Sequence, residues 1–440
     1  MLSRKGPRNF TSVERALTKL ISSFEIPKIT SEREEYVYLL ESNGRVLADN
    51  LYSPMNIPPF DRADRDGFAV ASSVTKNASL TSPVYLKIIG KDLAGQATTL
   101  RQIRTGQAVQ IATGARVPSG ADSVIMFEDT RSDIDNKLVT ISKPVSRGNH
   151  VSHKGSDVKE KQLVLRRGTW ITPHDVAMIA AMGLDRISVI KKPRVGILAT
   201  GDELTEPGRH LLNDASIFES NRYMLSCLVR DAGGDHVDLG LCKDDPDVIF
   251  DILKSSLKCD MVLVSGGASV GEKDYTPLLI GRLGKPGLIA HGIAMKPGSP
   301  TGLGVVRNTP IILCPGFPVS AYAAFYMFGM PVLYKLLGTQ GPLKARLRAK
   351  LTEDVRLNKG FLTFVRVLVY RHNDGLLAKP VSGSGSSLIS TLTNSNGIVV
   401  TKENSTKLNK GEDVQVTLFK NIRESSDDSV SQHGRSFVYR

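Results

Sequence analysis

The sequence predicts a multidomain protein in which a central, doubly wound α/β domain is joined to a helical linker domain and two β-rich domains. Strand and helix patterns alternate from about residue 193, which is typical of a parallel α/β sheet. Short apolar runs broken by Gly, Pro and Asn precede that region, and β-branched runs follow it. At 440 residues the chain is also too long for one ordinary hydrophobic core.

The composition indicates a soluble globular protein. Hydrophobic residues make up 41% and charged residues 23% of the chain, with 39 Gly and 22 Pro. No apolar run approaches the ~18 residues of a membrane span, and no apolar segment follows the basic residues near the N-terminus. We therefore predict a cytoplasmic protein that does not act at a membrane.

Charge and cysteine content argue against a nucleic-acid-binding protein and against a zinc protein. The net charge is +13, but the basic residues are scattered and lie in no nucleic-acid-binding motif, so an anionic small-molecule substrate is favoured over nucleic acid. The four cysteines are widely spaced and form no CxxC pair, which favours buried thiols over a zinc site.

Changes of pattern predict the domain boundaries. An N-terminal linker domain is interrupted by a β-rich insertion and is followed by the α/β domain, a small C-terminal β domain and a polar, disordered tail. The predicted ranges are 1–47 with 148–190 (elongated linker), 48–147 (β-rich insertion), 191–338 (α/β), 339–422 (C-terminal β) and 423–440 (tail).

Two helix starts are predicted in the linker domain from capping-box spacing, at Thr11 with Glu14 and at Ser31 with Glu34. The first begins an amphipathic helix that buries one face. A third helix is predicted over residues 173–182, with a proline in its first turn. Short strands are predicted in the insertion, over residues 84–89 and 123–127.

The alternating region supplies the elements of the α/β domain and of the domain after it. A long apolar helix is predicted to end near Gly338. The other predicted elements are strands 195–199, 237–241, 261–264 and 311–314, helices 221–232 and 247–257, and C-terminal strands 364–370, 397–401 and 413–418.

Acidic residues follow three consecutive predicted strands, at Glu203, Asp244 and Asp274. Ligands of open parallel sheets bind at the carboxyl ends of the strands. Carboxylates gathered there repel one another unless a cation compensates them, which predicts a Mg²⁺ site beside a phosphate. Asp244 precedes Asp245 and Pro246, a helix-start pattern, so a capping role is the alternative for that residue.

A glycine-rich run and a lysine turn predict anion binding in the same domain. Missing side chains let a backbone approach an anion, and serine adds a donor. A lysine framed by proline and glycine in a tight turn suits a phosphate or an oxyanion. The residues are Ser265, Gly266, Gly267, Ser269 and Gly271 in the run, and Lys296, Pro297 and Gly298 in the turn.

These segments together resemble the molybdopterin molybdenumtransferases, a family that includes MoeA-type bacterial enzymes and the molybdenum-insertion domain of gephyrin. The likeness runs in order from about residue 11 to 420. Its motifs lie in residues 58–70, 113–118, 200–204, 265–274 and 315–321.

The resemblance implies a fold and a reaction. It implies a molybdopterin-binding type of α/β domain and a small C-terminal β-barrel. It also implies that adenylylated molybdopterin is bound, that its pyrophosphate is cleaved with Mg²⁺, and that molybdate or tungstate enters the dithiolene as AMP leaves. A homodimer with a shared active site follows from the same resemblance, as does a possible partnership with the molybdopterin adenylyltransferase.

Site residues are carried over from the family's motifs. Asp244 and Asp274 are expected to handle Mg²⁺ and phosphate, and Glu203 to organise metal or water. Lys296 and Arg366 are expected to bind anions. The other implied positions are Asp66 and Thr113 in the insertion, Pro315, Gly316 and Ser320 after the last α/β strand, and Ser386 in the C-terminal domain.

The chain departs from the family at several positions. Phe317 replaces a frequent asparagine, and Ser299 and Gly292 stand where lysines occur in other members. Between Asp61 and Asp66 the chain has Arg62, Ala63, Asp64 and Arg65 in place of small or apolar residues. The altered cations imply either weaker oxyanion binding or compensation by Arg62 and Arg65, which leaves molybdate and tungstate both open.

Three other functions fit parts of the sequence. A molybdopterin adenylyltransferase has a similar α/β domain, but the additional domains of this chain argue against it. A competence-damage-type nucleotide hydrolase shares the glycine-rich domain and lacks the segment at residues 61–66. A non-enzymatic scaffold could lose its acidic cluster, which this chain has kept.

Overall fold

The computed structural model of the chain describes residues 10–26, 33–95, 102–133, 135, 137–210, 214–268, 275–373, 375–381 and 385–424. The predicted tail lies outside these ranges from residue 425 onward. The chain divides into two compact units: the main unit, with residues 1–35, 44–46 and 190–440, and the inserted unit, with residues 36–43 and 47–189. No helix in the described ranges is long and apolar enough to cross a membrane.

The main unit begins with helix α1 (Val13–Ser22), which was predicted, although its cap differs. The hydroxyl of Ser12 accepts the N–H of Arg15 at 3.3 Å. Thr11 was predicted as the cap, but its backbone is bonded to Gly292 and Ala294 instead. The buried face of α1 packs in one hydrophobic core with the central sheet, and not with the linker domain to which the sequence analysis assigned it.

The inserted unit is rich in short strands, as predicted. The α-helices among the described residues of this unit are α2 (Leu39–Ser42) and α3 (Pro173–Ala181). Its strands, with those at its boundary, are β1 (Glu34–Tyr38), β2 (Leu51–Tyr52), β3 (Arg62–Ala63), β4 (Gly67–Val70), β5 (Val84–Asp92), β6 (Gln107–Ile111), β7 (Ser123–Met126), β8 (Thr130–Asp133), β9 (Leu138–Ile141), β10 (Val151–Ser152), β11 (Leu163–Leu165) and β12 (Arg186–Ile190).

Six of these strands form one sheet in the order β7-β4-β6-β5-β9-β8, with a hydrophobic cluster on each face. Helix α3 has Pro173 in its first turn, as predicted, and Thr172 and Asp175 form a capping box before it. The second predicted capping box is wrong, because Glu34 begins strand β1, which pairs with β12. Ser31 lies outside the described residues.

The α/β part of the main unit follows the predicted alternation to within a few residues. Its strands are β13 (Arg194–Thr200), β14 (Leu204–Thr205), β15 (Ile217–Phe218), β16 (Asp235–Cys242), β17 (Met261–Ser265), β18 (Pro286–His291), β19 (Met295–Lys296), β20 (Gly302–Val306) and β21 (Thr309–Cys314). Its helices are α4 (Asn221–Asp231), α5 (Pro246–Ser256), α6 (Thr276–Leu283), α7 (Pro318–Ala324) and α8 (Met330–Leu337).

The central sheet has the order β16-β13-β17-β21-β20-β18, which adds two strands that were not predicted to the four strands of the predicted parallel sheet. Strands β16, β13, β17 and β21 are parallel, whereas β20 and β18 are antiparallel additions. Arg307 and Asn308, both with positive φ, form the whole connection from β20 to β21. A two-residue hairpin joins antiparallel strands, because a parallel pair needs a crossover of a dozen residues or more.

The predicted long apolar helix ends at Gly338, which adopts the left-handed conformation. It is made of α7, a π-helical turn at Phe325–Gly329 and α8. Pro331 lies in the first turn of α8 and has no N–H to donate to the preceding turn, which accounts for the irregular hydrogen bonding there.

The C-terminal part of the main unit is a closed barrel, which confirms the fold that the family resemblance implied. Its five strands close in the order β24-β25-β22-β28-β26, with β26 pairing back to β24, and β19 lies alongside β24. The elements are β22 (Arg346–Leu351), β23 (Val355–Arg356), β24 (Leu362–His372), β25 (Gly375–Pro380), α9 (Ser390–Asn394), β26 (Gly397–Val400), β27 (Lys407–Leu408) and β28 (Asp413–Leu418).

Candidate active site at the carboxyl ends of the sheet

A cleft of about 610 Å³ opens in the main unit where the parallel strands β13, β17 and β21 end. Ligand sites of open α/β sheets lie at this edge, because strand-end loops and helix N-termini meet there. Seven of the predicted site residues line the cleft together: Glu203, Asp244, Ser265, Gly266, Gly267, Pro315 and Gly316.

The turn after β17 accepts only glycine at two positions. Gly266 has φ +99°, and a Cβ atom there would lie 2.1 Å from the carbonyl oxygen of Thr200. Gly267 has φ +58°, and its Cβ would lie 2.5 Å from Oγ1 of Thr276. Both the left-handed backbone and the close neighbours exclude a side chain, so the turn keeps the cleft floor bare.

Asn221, which sequence reasoning missed, ties two strand-end loops together. Its Nδ2 donates to Oγ of Ser265 at 2.9 Å and to the carbonyl oxygen of Gly316 at 2.7 Å. The residue is buried at the first position of α4. A polar residue at a helix start is most often a simple cap, so its sequence position did not distinguish it.

Several buried polar atoms beside the glycine turn have no hydrogen-bond partner among the described residues. They are Oγ1 of Thr200, Oγ1 of Thr276 and Oδ1 of Asn221. An unsatisfied buried polar group is costly, so these atoms are available to groups that enter the cleft or to residues of the adjoining segment. That segment, residues 269–274, lies outside the described ranges with the predicted Ser269, Gly271 and Asp274.

The two described acidic residues occupy different loops of the cleft. The Glu203 carboxylate folds over Gly201, where a Cβ would lie 2.9 Å from both of its oxygens. The Asp244 N–H donates to Oδ1 of Asp202 at 3.2 Å. Among the residues that the structure describes, no group of three His, Cys, Asp or Glu could hold a metal ion.

Asp245, and not Asp244, caps helix α5. Its Oδ1 accepts the N–H groups of Asp247 at 2.9 Å and Val248 at 3.1 Å. The capping alternative considered for Asp244 is therefore wrong, and the Asp244 carboxylate is left on the cleft wall.

A buried arginine anchors the wall formed by β14 and β15. The Arg222 guanidinium donates to Asp238 at 2.5 Å and to Glu206 at 2.5 and 2.7 Å. Its backbone N–H donates to Oε1 of Glu219 at 2.7 Å. Burial raises the pKa of the Glu219 carboxyl, which is only 3% exposed. The cluster joins α4, β16 and the chain segment that borders the cleft.

The other described site residues that were predicted in the main unit do not line the cleft. Lys296 donates to Oδ1 of Asn358 at 3.0 Å, and its Nζ lies 4.8 Å from the centre of the Phe361 ring. Arg366 is buried in β24, and this burial lowers its pKa. Pro297 and Gly298 follow β19, and Ser320 is buried in α7. The carbonyl oxygen of Ser386 accepts the Val319 N–H at 3.2 Å.

The family departures at Ser299 and Phe317 have clear local positions. The Ser299 hydroxyl donates to the carbonyl oxygen of Met295 at 2.8 Å, so it closes the lysine turn on itself. The Phe317 ring is 57% exposed and lines the cleft, where it offers an apolar surface in place of an amide.

Asp66 and Thr113 form a pair on the surface of the inserted unit. Oδ1 of Asp66 accepts the Thr113 N–H at 2.7 Å and its hydroxyl at 3.0 Å. The backbone bond, followed by the hydroxyl bond, holds the pKa of Asp66 below its usual value of 3.8. The stability that this pair contributes is present above pH 3.8 and is lost as the pH falls through the lower folded-state value.

Thr113→Val is expected to raise the pKa of Asp66 part of the way back to 3.8, because the hydroxyl bond is lost and the N–H bond is kept. Titration of aspartate carboxyl carbons by NMR would measure the shift. Asp354, whose pKa is lowered by the Lys410 N–H, serves as the internal control and should be unchanged. An unaltered Asp66 titration would show that the hydroxyl bond contributes nothing.

Family models match three parts of the chain. They are described as the MoeA N-terminal region (domain I and II) at residues 11–183, a probable molybdopterin binding domain at residues 196–335, and the MoeA C-terminal region (domain IV) at residues 348–419. The three matches cover both units.

Individual relatives match this chain over most of their own length. The molybdopterin molybdenumtransferase of Bacillus subtilis is 33% identical over 89% of this chain and 90% of its own length. The molybdopterin molybdenumtransferase of Haemophilus influenzae is 31% identical over 93% of this chain and 99% of its own length. The crystal structure of the molybdopterin biosynthesis MoeA protein from Pyrococcus horikoshii OT3 superposes with a TM-score of 0.81 at 32% identity, covering 93% of this chain and all of that one.

Proposed function

Because the chain belongs to the molybdopterin molybdenumtransferase family, we propose that it inserts molybdate or tungstate into adenylylated molybdopterin and releases AMP. The reaction takes place in the cleft at the carboxyl ends of β13, β17 and β21. The observation that carries this proposal is that Glu203, Asp244 and the bare Gly266–Gly267 turn line the same cleft.

The glycine turn receives the phosphate of the substrate. Alanine at either glycine would collide with Thr200 or Thr276 and displace the turn from the phosphate. Asn221 holds the turn against the Gly316 loop, so the phosphate meets a preorganised surface. The unpartnered hydroxyl of Thr200, which lines the cleft, is a donor for the same anion.

The described residues of the cleft supply part of a ligand set for Mg²⁺. This ion is usually held by one or two carboxylates together with substrate phosphate oxygens and water. Glu203 and Asp244 are two such carboxylates, and Asp274, outside the described residues, is proposed as a third. When bound, the ion would neutralise charge on the phosphate group.

The oxyanion is proposed to bind near the turn that carries Lys296. Lys296 lies on β19, which pairs with β24, the strand that carries Arg366. Two cations on adjacent strands suit a divalent oxyanion. Ser386, Pro297 and Gly298 are proposed as further residues of the same oxyanion site. The Asp66–Thr113 pair remains a proposed functional position of the inserted unit. The cytoplasmic location and the homodimer are also proposals. Light scattering would test the homodimer by measuring the mass of the protein in solution.

Asp244→Asn and Glu203→Gln are each expected to lower AMP release by at least about tenfold, because each removes one carboxylate charge from the cleft. Purified protein would be incubated with adenylylated molybdopterin, molybdate and Mg²⁺, and AMP would be measured by chromatography. Chelation of Mg²⁺ should stop the wild-type reaction.

Asp245→Asn is the matched control, since it removes the same charge one residue away and asparagine can still cap α5. Its rate should equal that of the wild type. Equal rates for all three variants would contradict the assignment. Formation of adenylylated pterin from ATP and molybdopterin would instead identify an adenylyltransferase.

A further inference from the structure

A second pocket, which we call the aromatic pocket, lies in the main unit between the α4 and α7–α8 helices and the barrel, away from the cleft. It encloses about 230 Å³. Its walls include Tyr322, Phe325, Tyr326, Tyr334 and Phe419, with Lys344 as its basic residue. Apolar pockets of this kind with few polar groups are typical binding sites for small organic molecules.

The amine of Lys344 lacks a strong acceptor. Its Nζ lies 2.7 Å from the thioether sulfur of Met330 and 4.5 Å from the centre of the Tyr326 ring. A thioether is only a weak acceptor, and among the described residues no carboxylate lies within ion-pair distance of Lys344. Burial, with a further contribution from the Arg346 charge, lowers its pKa to about 8.

The other charged and titratable groups near Lys344 do not cancel the lowering of its pKa. Asp231 also lines the aromatic pocket, and Arg371, Lys420 and Glu424 border a depression that also reaches Lys344. Burial raises the pKa of Tyr334 to about 12 and raises that of Tyr322 as well, so both phenols are neutral near pH 8.

Lys344 can be reached from solvent. Two shallower depressions adjoin the aromatic pocket, one along residues 340–346 and one along residues 418–424, and Lys344 borders both. A small molecule can therefore enter beside the amine while its apolar part is covered by the aromatic walls.

We propose that Lys344 is a nucleophilic lysine that forms an imine with small aromatic aldehydes held in the aromatic pocket. The lone pair of the neutral amine attacks the carbonyl carbon, and a proton passes from nitrogen to the carbonyl oxygen. Departure of the resulting hydroxyl with the second N–H proton, as water, leaves the C=N bond. A lysine desolvated in an apolar pocket next to another cation is activated for this chemistry.

Lys335 is a natural internal control. It also lies over an aromatic ring, with its Nζ 4.4 Å from the centre of Phe24. Unlike Lys344, it donates to the carbonyl oxygens of Ile21 and Phe24, which stabilise the charged ammonium. Burial of a lysine is common to both sites, whereas the weak acceptor and the adjoining pocket are found at Lys344.

The test uses the full-length protein at pH 8 with benzaldehyde and sodium cyanoborohydride, which donates hydride to the imine and fixes the benzyl group on nitrogen. Peptide mass spectrometry would compare the two lysines. We expect at least about tenfold more label on Lys344 than on Lys335, and none at position 344 in Lys344→Arg. Thermal unfolding of Lys344→Arg and Lys335→Arg would establish that both variants are folded.

Acetaldehyde, which has no ring, tests the contribution of the pocket. The ratio of Lys344 to Lys335 labelling should be several-fold lower with acetaldehyde than with benzaldehyde. Equal labelling of the two lysines by benzaldehyde would overturn the nucleophilic role. The same ratio with both aldehydes would overturn the assignment of an aromatic ligand.

Discussion

Gly266→Ala is expected to lower AMP release at least about a hundredfold, because displacement of a reacting group by about 1 Å can cost that much. A Cβ at this position would lie 2.1 Å from the carbonyl oxygen of Thr200, and 2.9 Å from its Oγ1. Backbone cannot rotate away as a flexible side chain can, so the turn itself must move. The turn also carries the bonds from Asn221 to Ser265 and from the Gly266 N–H to Cys314.

Gly411→Ala is the control variant. It separates the effect of the close contact at Gly266 from the cost of placing alanine in a left-handed backbone. Gly411 has φ +81°, but a Cβ there would meet nothing within 4 Å. We expect a loss of about 1–2 kcal/mol in stability and an unchanged rate of AMP release. The rate would be measured with saturating substrate, and wild-type activity in Gly266→Ala would refute the proposed role of the turn.

Arg222→Met is expected to destabilise the main unit by about 3–5 kcal/mol, since removal of one partner from a buried ion pair leaves an uncompensated charge. Arg222 is 5% exposed and Glu219 is 3% exposed, so water cannot replace the lost donor well. Glu206 would lose both guanidinium bonds, and the β14–β15 wall of the cleft would lose its anchor.

The loss of stability caused by Arg222→Met should be larger at pH 8 than at pH 5. Burial raises the pKa of Glu219, so the folded protein binds this proton more tightly than the unfolded chain, and stability falls as the pH rises from 4.5 through the raised value. Without the Arg222 charge, which opposes that shift, the pKa should rise further.

Hydrogen exchange, resolved by peptide, would measure the opening free energy of β13 and β16 at both pH values. Arg371→Met is the control, because Arg371 is paired with Glu424 at 3.6 Å with both side chains well exposed. Exposed pairs contribute about 0–1 kcal/mol. Equal exchange in Arg222→Met and the wild type would show that the cluster stabilises nothing.

Local patterns were sufficient to predict the four parallel strands of the central sheet and helices α1, α4 and α5. Strand β17 reads as an uninterrupted apolar run because both faces of a central parallel strand are buried. The acidic and glycine residues that follow the parallel strands were predicted to meet at one edge, and Glu203, Asp244, Gly266 and Gly267 do line one cleft. The closed barrel was predicted from resemblance, and its β-branched strands were visible in the sequence.

Predictions failed where two local signals were equally good or where a partner lay far along the chain. Thr11 and Ser12 are both suitable caps, and the pairing of Thr11 with residues near 293 decided between them. Strand β18 and the hairpin from β20 to β21 carried no signal strong enough to place them antiparallel in the sheet. The bond from Asn221 to Gly316 spans 95 residues, and no spacing rule reaches that far.

The sequence by itself determined the family, the order of strands and helices, and the residue types that gather at the strand ends, because these depend on composition, periodicity and short motifs. Only the tertiary structure decided which of them share the cleft, that Asp245 caps α5, and that Arg222 and Asn221 hold the cleft walls. The same holds for Lys344, whose reactivity depends on burial beside Met330 and Tyr326. Burial and long-range hydrogen bonds arise from distant segments packing together, and a linear pattern does not encode those distances.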